Sequence, residues 1–469
     1  MASQSPSLHV IFFPLMAPGH ILPMLHLAKL FAARGARATL LTTPANSHLL
    51  QPAVDGVSIS LRLIHFPSAA VGLPPGRESL ASVDFRQHTA FFEGIYMLED
   101  PFRRALAELR PDAVVSDWFL PWTFDVAEEF RIPRLAFHGY SAFALCANAS
   151  LLYAPPPPPP PGDEGSTSFV VPGFPRRLEM PTSQLPDLSK LEPVVVKIFQ
   201  QIAEWETRSF GVVVNSFYDL ETEFADHLRR AIWRRAWLVG PVASAKSFSH
   251  DGDDLSVSRW LDEQQDASVL YVCFGSVSSI AGAQLRELAL GLEASGHPFI
   301  WVVRTDDAAA EPSWRPAGFA ERTKQRRWLI LEDWAPQAAI LGHVAVGGFV
   351  THCGWSSCME AVAAGVPMAT WPLFAEQFLN ERLVTEVLGV GVSVGATHWT
   401  MDPEERPLIQ AAEVERAARR VMDADGEEGR RMRTKARELA LAAKTATAEG
   451  GSSSDDMGKL IKDLIDQKQ

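Results

Sequence analysis

Short apolar segments alternate with helical patterns along most of this chain, and this alternation limits the folds it can adopt. In the first half the pattern predicts strands at 8–14, 38–42, 113–116 and 212–215. It starts again with strands at 268–274 and 299–303, between which apolar residues recur at helical spacing before Gly296. Strands that alternate with helices pair in parallel through crossover connections. The sequence therefore predicts an α/β protein with mostly parallel sheets.

The composition indicates a soluble globular protein with enough apolar residues for two cores. The chain has 469 residues, of which 47% are hydrophobic, and its mean hydropathy is near zero. This length suits two domains of ordinary α/β size. Lys and Arg number 43 against 56 Asp and Glu, so the formal net charge is -13. Such an acidic balance argues against nucleic acid or an anionic membrane surface as a partner.

The cysteines and the N-terminus indicate a cytoplasmic protein. The four cysteines lie mostly in apolar runs and show no metal-site spacing: Cys146, Cys273, Cys353 and Cys358. We expect reduced thiols, with neither a metal nor a bound cofactor. The apolar stretch at 10–16 lacks a basic flank and a cleavage site, which favours a first strand over a signal peptide. No apolar run reaches the ~18 residues of a membrane span, and we expect a monomer.

The stretch SAKSFSHDGDDLSVS separates the two α/β patterns and is rich in serine and aspartate. It predicts a linker at 243–257 between an N-terminal domain, 1–242, and a C-terminal domain, 258–449. The last segment, 450–469, begins with glycine and serine and then carries a helical apolar face, formed by Leu460, Ile461, Leu464 and Ile465. Such a face needs a surface to pack against.

Between Trp334 and Gln377, polar residues are concentrated at the ends of predicted strands. The pattern predicts a strand, a polar turn and a helix at 344–351, 352–357 and 358–364. A second strand and loop follow at 368–371 and 372–377. Open α/β sheets bind ligands at the carboxyl ends of their strands, and the N–H groups of a following helix favour phosphate. The sequence therefore predicts an anion at Gly354 to Ser357.

This segment, which begins WAPQAAILGHVAVGGFVTHCGWSSCMEAV, resembles the signature box of plant UDP-dependent glycosyltransferases. The likeness extends to FFPLMAPGHILPMLHLAKLFAARG, VVVNSFYDLE, WLDEQQDASVLYVCFGS and FLNERLV. It implies the GT-B architecture, with two facing Rossmann-like doubly wound domains and an interdomain cleft. By the same resemblance, the first domain binds the acceptor, the second binds UDP-glucose, and the C-terminal helix at 450–469 packs back on the N-terminal domain.

The resemblance also implies roles for the residues of the donor site. Trp334 stacks under uracil, Gln337 contacts the uridine, and Glu360 accepts the ribose hydroxyls. His352 and Ser276 join the helix start in stabilising the phosphates as UDP leaves. Glu376 and Gln377 bind the sugar hydroxyls, and Gln377 indicates glucose. The positions matched to donor binding are Ser276, Trp334, Ala335, Gln337, His352, Gly354, Trp355, Ser356, Ser357, Glu360, Glu376 and Gln377.

Some of these positions leave alternatives open or depart from the family pattern. Ser357 and Glu360 also have the spacing of a capping box, which would occupy the carboxylate at the helix start. Ser356 stands where the family usually has an asparagine that helps bind the phosphates, which predicts weaker donor binding or a water in the gap. Glu376 replaces the aspartate of many members and reaches one methylene further.

His20 and Asp117 are the candidate catalytic residues. His20 follows the first predicted strand, within PLMAPGHILPMLHLA, and Asp117 ends the strand at 113–116. An imidazole of reference pKa ~6.5 is mostly free base at neutral pH and can take the proton of an acceptor hydroxyl. The resemblance implies that Asp117 orients the ring and stabilises the imidazolium. The alternatives are a helix-cap or loop histidine and an aspartate that caps a turn.

The resemblance implies inverting transfer of glucose from UDP-glucose to a small hydrophobic acceptor, first a flavonoid or other phenolic. A triterpenoid or a hormone such as abscisate or a cytokinin is the alternative. We expect apolar and aromatic side chains around the acceptor, with Phe91, Phe92, Phe119 and Phe143 as candidates.

Two other classes of function stay open: a UDP-sugar epimerase of the same architecture, and a UDP-sugar-binding protein with weak catalysis, the second because of Ser356.

The seven prolines at 155–161 predict a semi-rigid surface loop near the acceptor entrance. Asp251, Gly252 and Asp253 resemble a metal-binding D-x-D, but they lie in the polar linker, and we expect no metal there.

Overall fold

The computed structural model describes residues 8–51, 59–156, 167–186, 193–233, 235–243, 254–304, 314–326, 328–332 and 334–468. Most of the predicted linker, most of the proline run and the D-x-D motif lie outside these residues. A helix begins at Asp254, so the last residues of the predicted linker, 254–257, are helical.

The strands are short and mostly buried, as their apolar sequences predict. They are β1 His9–Phe13, β2 Arg37–Thr42, β3 Ile59–Leu63, β4 Ala113–Asp117, β5 Arg134–His138, β6 Ser168–Val170, β7 Glu179–Pro181, β8 Gly211–Val214, β9 Ala236–Leu238, β10 Val269–Cys273, β11 Phe299–Val303, β12 Leu329–Glu332, β13 Val346–Thr351, β14 Met368–Thr370 and β15 Gly391–Ser393. The predicted strands agree with these to within two residues at each end.

The α-helices occupy most of the connections between parallel strands. They are α1 Pro18–Ala32, α2 His88–Tyr96, α3 Glu99–Leu109, α4 Thr123–Glu129, α5 Ala142–Tyr153, α6 Pro193–Arg208, α7 Thr222–His227, α8 Asp254–Asp262, α9 Gly282–Ser295, α10 Phe319–Arg326, α11 Gln337–Leu341, α12 Trp355–Ala364, α13 Gln377–Arg382, α14 Ala411–Met422, α15 Glu427–Thr447 and α16 Ser452–Lys468. Short 3-10 and π-helical turns extend several of them.

Two parallel sheets organise the described residues. The first has seven strands in the order β3-β2-β1-β4-β5-β8-β9, and the second has six in the order β12-β11-β10-β13-β14-β15. Every pairing within these two sheets is parallel. The strand order reverses beside β1 in one sheet and beside β10 in the other, which is the doubly wound pattern. The α/β prediction is confirmed.

The chain divides into two compact units. Unit 1 consists of Met1–Ala142, Asp187–Ala243 and Ala446–Gln469, and unit 2 consists of Phe143–Pro186 and Ser244–Thr445. Residues 143–186 therefore group with the second sheet, whereas the sequence analysis placed them in the N-terminal domain. Backbone contacts account for the difference, because Trp399 donates its N–H to the carbonyl of Ser183 at 2.8 Å and Ser183 Oγ donates to the carbonyl of Thr397 at 2.9 Å.

Helix α16 belongs to unit 1 and packs there through its apolar face. Leu460 and Leu464 are buried in one core with side chains of β1 and β2. The carboxylate of Asp456 accepts the N–H of Leu238 at 3.0 Å and pairs with Arg229. The amphipathic pattern of the last segment thus corresponds to a helix that completes the core of unit 1.

We expect the substitution Leu464→Ala to lower the free energy of unfolding of unit 1 by about 2 to 5 kcal/mol, because it leaves a cavity in a packed core. The neighbouring Ile465 is 37% exposed, so Ile465→Ala provides a matched control that should cost less than about 1 kcal/mol. Urea denaturation of the two variants measures both values. Equal losses would show that Leu464 does not anchor the helix in the core of unit 1.

Candidate active site

The loop after β13 is shorter than the sequence predicted. Helix α12 begins at Trp355, so Trp355, Ser356 and Ser357 form its first turn and not a loop. The N-cap is Gly354, and no side chain caps the helix. The positive end of this helix therefore lies where the sequence predicted an anion.

The capping-box alternative for Glu360 is wrong. Ser357 is the third residue of α12, so the two side chains lie inside the helix and cannot cap it. The amide nitrogen of Gln337 instead donates to Ser357 Oγ at 3.0 Å and to Glu360 Oε2 at 2.8 Å. The hydroxyl of Tyr271 donates to Gln337 Oε1 at 3.4 Å. Three predicted donor-site residues, Gln337, Ser357 and Glu360, thus form one hydrogen-bonded group.

Burial shifts the protonation of this group. It raises the pKa of Glu360 from 4.5 to about 7, although the hydrogen bond from Gln337 favours the ionised form. A carboxylate that is desolvated in this way gains by accepting hydroxyl donors, because each hydrogen bond replaces lost water. The arrangement suits a diol such as the ribose of a nucleotide.

His352 is a neutral hydrogen-bonding group held by close glycine contacts. Burial lowers the pKa of His352 to about 4, so the ring can offer a phosphate an N–H donor but no positive charge. A Cβ atom at Gly354 would lie 2.4 Å from His352 Nε2, and one at Gly275 would lie 2.7 Å from the same atom. Gly275 also has φ +76, which favours glycine. Both glycines therefore leave room for the imidazole.

Three more of the predicted donor-site residues, Ser276, Trp334 and Ala335, follow the ends of β10 and β12. Ser276 follows Gly275 after β10 and is half-buried. Trp334, two residues after β12, is 48% exposed, an unusual exposure for an indole that a stacked base would explain. Ala335 accepts the N–H of Gln337 at 2.8 Å and so shapes the turn into α11.

The loop after β14 orients Gln377. Its Oε1 accepts the N–H groups of Leu373 and Phe374 at 2.8 and 3.0 Å. Since only the amide oxygen can accept these two bonds, its NH₂ group is the part left to donate to a ligand. Glu376 precedes it as the N-cap of α13, and only 6% of its surface is exposed.

Asn380 is a site residue that the sequence analysis did not assign. Its amide nitrogen donates to the carbonyl of Cys353 at 2.9 Å and to Glu376 Oε1 at 3.2 Å. It therefore joins the loop after β13 to the loop after β14. The signal was present in FLNERLV, where Asn380 lies one helical turn beyond Glu376, but the spacing alone does not reveal the partner across the sheet.

His20 and Asp117 form a hydrogen-bonded pair in unit 1. His20 lies in the first turn of α1, and Asp117 is the last residue of β4. His20 Nδ1 and Asp117 Oδ2 are 2.8 Å apart, with the histidine side chain 24% exposed and the aspartate 1% exposed. The second carboxylate oxygen, Oδ1, accepts the N–H of Phe119 at 3.1 Å. The structure thus brings together the two residues that the sequence proposed as catalytic.

A row of aromatic side chains begins at this pair. Phe119 meets the His20 ring edge-on at 5.9 Å and stacks with Phe92 at 5.9 Å between centroids. Phe92 in turn contacts Phe91, which is fully buried, at 5.6 Å between ring centroids. The fourth candidate, Phe143, belongs to unit 2 and packs against Phe174.

Two kinds of feature are absent from the described residues. No helix among them is long and apolar enough to cross a membrane. No group of three or more His, Cys, Asp or Glu side chains in that part of the chain is arranged to hold a metal ion.

The two doubly wound sheets, each with polar groups at its carboxyl edge, define a GT-B glycosyltransferase. The model of the family UDP-glucoronosyl and UDP-glucosyl transferase matches residues 239–406. Scopoletin glucosyltransferase of Nicotiana tabacum is 42% identical over 97% of this chain and 98% of its own length. UDP-glucose flavonoid 3-O-glucosyltransferase 7 of Fragaria ananassa is 42% identical over 98% of this chain and 96% of its own. The chain belongs to this family of plant UDP-glycosyltransferases and is an enzyme.

Solved structures agree over the whole chain. The crystal structure of Glycyrrhiza uralensis UGT73P12, complexed with glycyrrhetinic acid 3-O-monoglucuronide, is 35% identical, with a TM-score of 0.90 over 98% of this chain and 96% of that chain. That of Medicago truncatula UGT71G1, complexed with UDP-glucose, is 27% identical, with a TM-score of 0.82 over 99% of this chain and 100% of that chain.

The contact between Gly354 and His352 predicts the effect of one methyl group. Gly354 has φ -58, so Gly354→Ala leaves the backbone unstrained and acts only on the imidazole. Overpacking of about 1 to 3 kcal/mol displaces the imidazole. We expect KM for UDP-glucose to rise about tenfold, the factor for loss of one hydrogen bond worth about 1.4 kcal/mol. Gly458→Ala is the control, since a Cβ at Gly458 meets nothing within 4 Å. An unchanged KM in Gly354→Ala would contradict the role of this contact.

The raised pKa of Glu360 predicts a pH-dependent stability difference. The folded state binds the proton more tightly than the unfolded chain, so ionisation of Glu360 lowers the free energy of unfolding as pH rises from 4.5 to about 7. Glu360→Gln removes this loss. Between pH 4.5 and 8, the free energy of unfolding of the variant should therefore rise by up to about 3 kcal/mol relative to that of the parent.

Urea denaturation of nucleotide-free protein at pH 4.5 and pH 8 measures this gain. Glu386→Gln, at a glutamate whose side chain is 55% exposed, is the control and should show no such pH dependence. A difference between Glu360→Gln and the parent that stays constant with pH would show that folding does not raise the pKa of Glu360.

Proposed function

We propose that this enzyme transfers glucose from UDP-glucose to a hydroxyl of a small phenolic acceptor, with inversion at the anomeric carbon and His20 as the general base. The observation that carries the proposal is the 2.8 Å contact between His20 Nδ1 and Asp117 Oδ2. An imidazole at the carboxyl edge of a sheet, held by a buried carboxylate, is the arrangement that general-base catalysis requires.

In this proposal, Nε2 of His20 acts as the base. An ionised carboxylate only accepts hydrogen bonds, so Nδ1 carries the proton and Nε2 carries the lone pair. The first turn of α1 is the positive end of a helix and favours the neutral ring before reaction. Asp117 then stabilises the imidazolium once the proton has been taken up.

The proposed reaction balances without a metal or a redox partner. The acceptor O–H bond breaks and its proton passes to His20 Nε2, while the acceptor oxygen forms a bond to C1 of glucose. The C1–O bond to UDP breaks, and UDP leaves with the electron pair. The N–H groups at the start of α12 and a neutral His352 are suited to stabilise the added charge on its phosphates.

The choice of glucose is supported by the second loop. The NH₂ group of Gln377 is oriented as a donor by the N–H groups of Leu373 and Phe374. Glu376 is held by Asn380 and offers acceptor oxygens beside it. A donor and an acceptor side by side can bind neighbouring hydroxyls of a hexose. The relatives from Nicotiana tabacum and Fragaria ananassa are named as glucosyltransferases, which supports the same sugar here.

The choice of a phenol is supported by the aromatic row beside His20. Phe119 is half-buried, and together with Phe92 it presents aromatic surface next to the base. A planar acceptor ring can stack or meet these faces edge-on while its hydroxyl points to Nε2. Scopoletin, flavonoids and anthocyanins are named for the relatives. A triterpenoid is the second class, because glycyrrhetinic acid 3-O-monoglucuronide is named in the complex of Glycyrrhiza uralensis UGT73P12.

We expect His20→Ala to lower kcat for phenol glucosylation by about 10² to 10⁴ and to leave the affinity for UDP nearly unchanged. Asp117→Asn should also lower kcat, because the amide no longer stabilises the imidazolium. His48→Ala, at an exposed histidine, is the matched control and should retain full activity. Release of UDP and the mass of the product measure turnover, and calorimetry measures UDP binding.

The same assay, with a panel of flavonoids, coumarins, triterpenoids and hormones, separates the classes of function. A glucosylated phenol with free UDP supports the proposal. A changed sugar nucleotide without acceptor would indicate an epimerase, and UDP-glucose binding without any turnover would indicate a binding protein. Full activity of His20→Ala would overturn the assignment of the base.

A further inference from the structure

Unit 1 contains a buried arginine, Arg134, that the proposed reaction does not use directly. It is the first residue of β5, and only 2% of its surface is exposed. Burial lowers its pKa to about 10, so it is a cation at neutral pH. An enclosed guanidinium costs free energy unless hydrogen bonds and opposite charges compensate it.

A directed chain of hydrogen bonds starts at this guanidinium. Arg134 Nε donates to Ser116 Oγ at 2.8 Å, and Ser116 Oγ lies 2.7 Å from Thr123 Oγ1. Thr123 Oγ1 donates to the carbonyl of Leu120 at 2.6 Å. Because this bond uses the threonine proton, the hydroxyl of Ser116 must donate to Thr123. Every proton in the chain therefore points away from Arg134.

The chain ends in the turn that carries Asp117. Arg134 Nη2 donates to the carbonyl of Asp117 at 3.2 Å, and the N–H of Leu120 donates to the same oxygen at 3.0 Å. This turn also contains Phe119, whose N–H holds Asp117 Oδ1 at 3.1 Å. The orientation of the Asp117 carboxylate toward His20 therefore depends on this turn. Arg134 holds the turn directly at the carbonyl of Asp117 and, through the two hydroxyl groups, at the carbonyl of Leu120.

The charges around Arg134 also connect it to the pair. Attraction to Glu206 on α6 and to Asp117 on β4 opposes the effect of burial on the pKa of Arg134. Glu206 Oε1 lies 2.6 Å from His138 Nε2. The titratable groups around Arg134 and the pair include His20, Asp117, His138 and Glu206. Tyr140 is a further one, and its ring lies 6.5 Å from that of His138.

We propose that Arg134 is a positioning residue for the His20 and Asp117 pair: it anchors the turn 117–123 that aims the carboxylate and supplies the buried positive charge behind it. This inference rests on the proposed function, in which His20 is the base. Arg134 touches neither reacting atom, and its effect passes through the main chain of Asp117 and through its charge.

Two substitutions separate the charge from the anchor. Arg134→Met removes both, and Arg134→Lys keeps the charge but cannot reproduce the planar fork that reaches Ser116, Asp117 and Ser209. We expect kcat to fall roughly 10- to 100-fold in both variants, the loss that is typical when a residue that orients a functional side chain is removed. KM for UDP-glucose should stay within about twofold of the parent.

The pH profile of kcat/KM for the acceptor is the readout that a merely structural role would not move. Loss of the cation favours the protonated form of His20, so the acidic limb should move to higher pH in Arg134→Met and stay in place in Arg134→Lys. Ser116→Ala interrupts the chain but keeps Arg134, and it should lower kcat several-fold without moving the limb. Arg62→Met, at an exposed arginine paired with Glu108, is the control.

The possible failures can be told apart. If His20→Ala keeps full activity, the proposed function fails and this inference fails with it. If His20→Ala is inactive, but Arg134→Met and Ser116→Ala both keep a normal kcat and an unchanged acidic limb of the pH profile, only this inference is overturned. Loss of activity in Arg134→Met with an unmoved limb also overturns the role of the charge. Should Arg134→Met misfold, Arg134→Lys and Ser116→Ala still decide, since a normal kcat in both contradicts the anchor.

Discussion

Parallel pairing of neighbouring strands is the constraint on which both candidate sites depend. In a parallel sheet the carboxyl ends of adjacent strands lie at one edge, so residues that follow them meet although they are far apart in sequence. Strands β1 and β4 pair with Phe13 beside Ser116, and this register brings His20 to Asp117. Strands β13 and β14 pair with Thr351 beside Thr370, and the loops after them are joined by Asn380.

The polar groups collected at these edges are largely buried, and their environments decide what each can do. His352 stays neutral and can act only as a hydrogen-bonding group. Glu360 titrates near neutrality, so hydroxyl donors from a ligand would compensate its desolvation. Asp117 is almost fully enclosed but is held by a main-chain N–H and by the His20 ring. Burial thus sets the chemistry of side chains that have ordinary properties in water.

The region behind Asp117 shows how a site extends into the core. Arg134 is a costly residue to bury, and hydrogen bonds to two serine hydroxyls and one carbonyl offset that cost only in part. Its opposite charges are Asp117 and Glu206. A core that needed stability alone could place an apolar side chain here, so the presence of a buried cation fits a role in orienting the strand end.

Most of the fold and of the candidate site could be predicted from the sequence, because short apolar runs and helical spacing locate strands and helices, and loops at strand ends carry the chemistry. The polar turn at 352–357 was predicted too long, since a helix that starts at Trp355 has the same polarity as a loop. Ser357 and Glu360 had the spacing of a capping box, but spacing does not show where a helix begins, and the carboxylate turned instead to Gln337.

By itself, the sequence determined the alternation of strands and helices, the identity of the candidate base and carboxylate, and the residues of the donor box. Only the tertiary structure decided the contacts between distant segments: Asn380 between two loops, Gln377 turned by two N–H groups, residues 143–186 joined to unit 2, and Arg134 beneath Asp117. The physical reason is that strand register and helix starts set these distances, and a linear pattern does not encode either one.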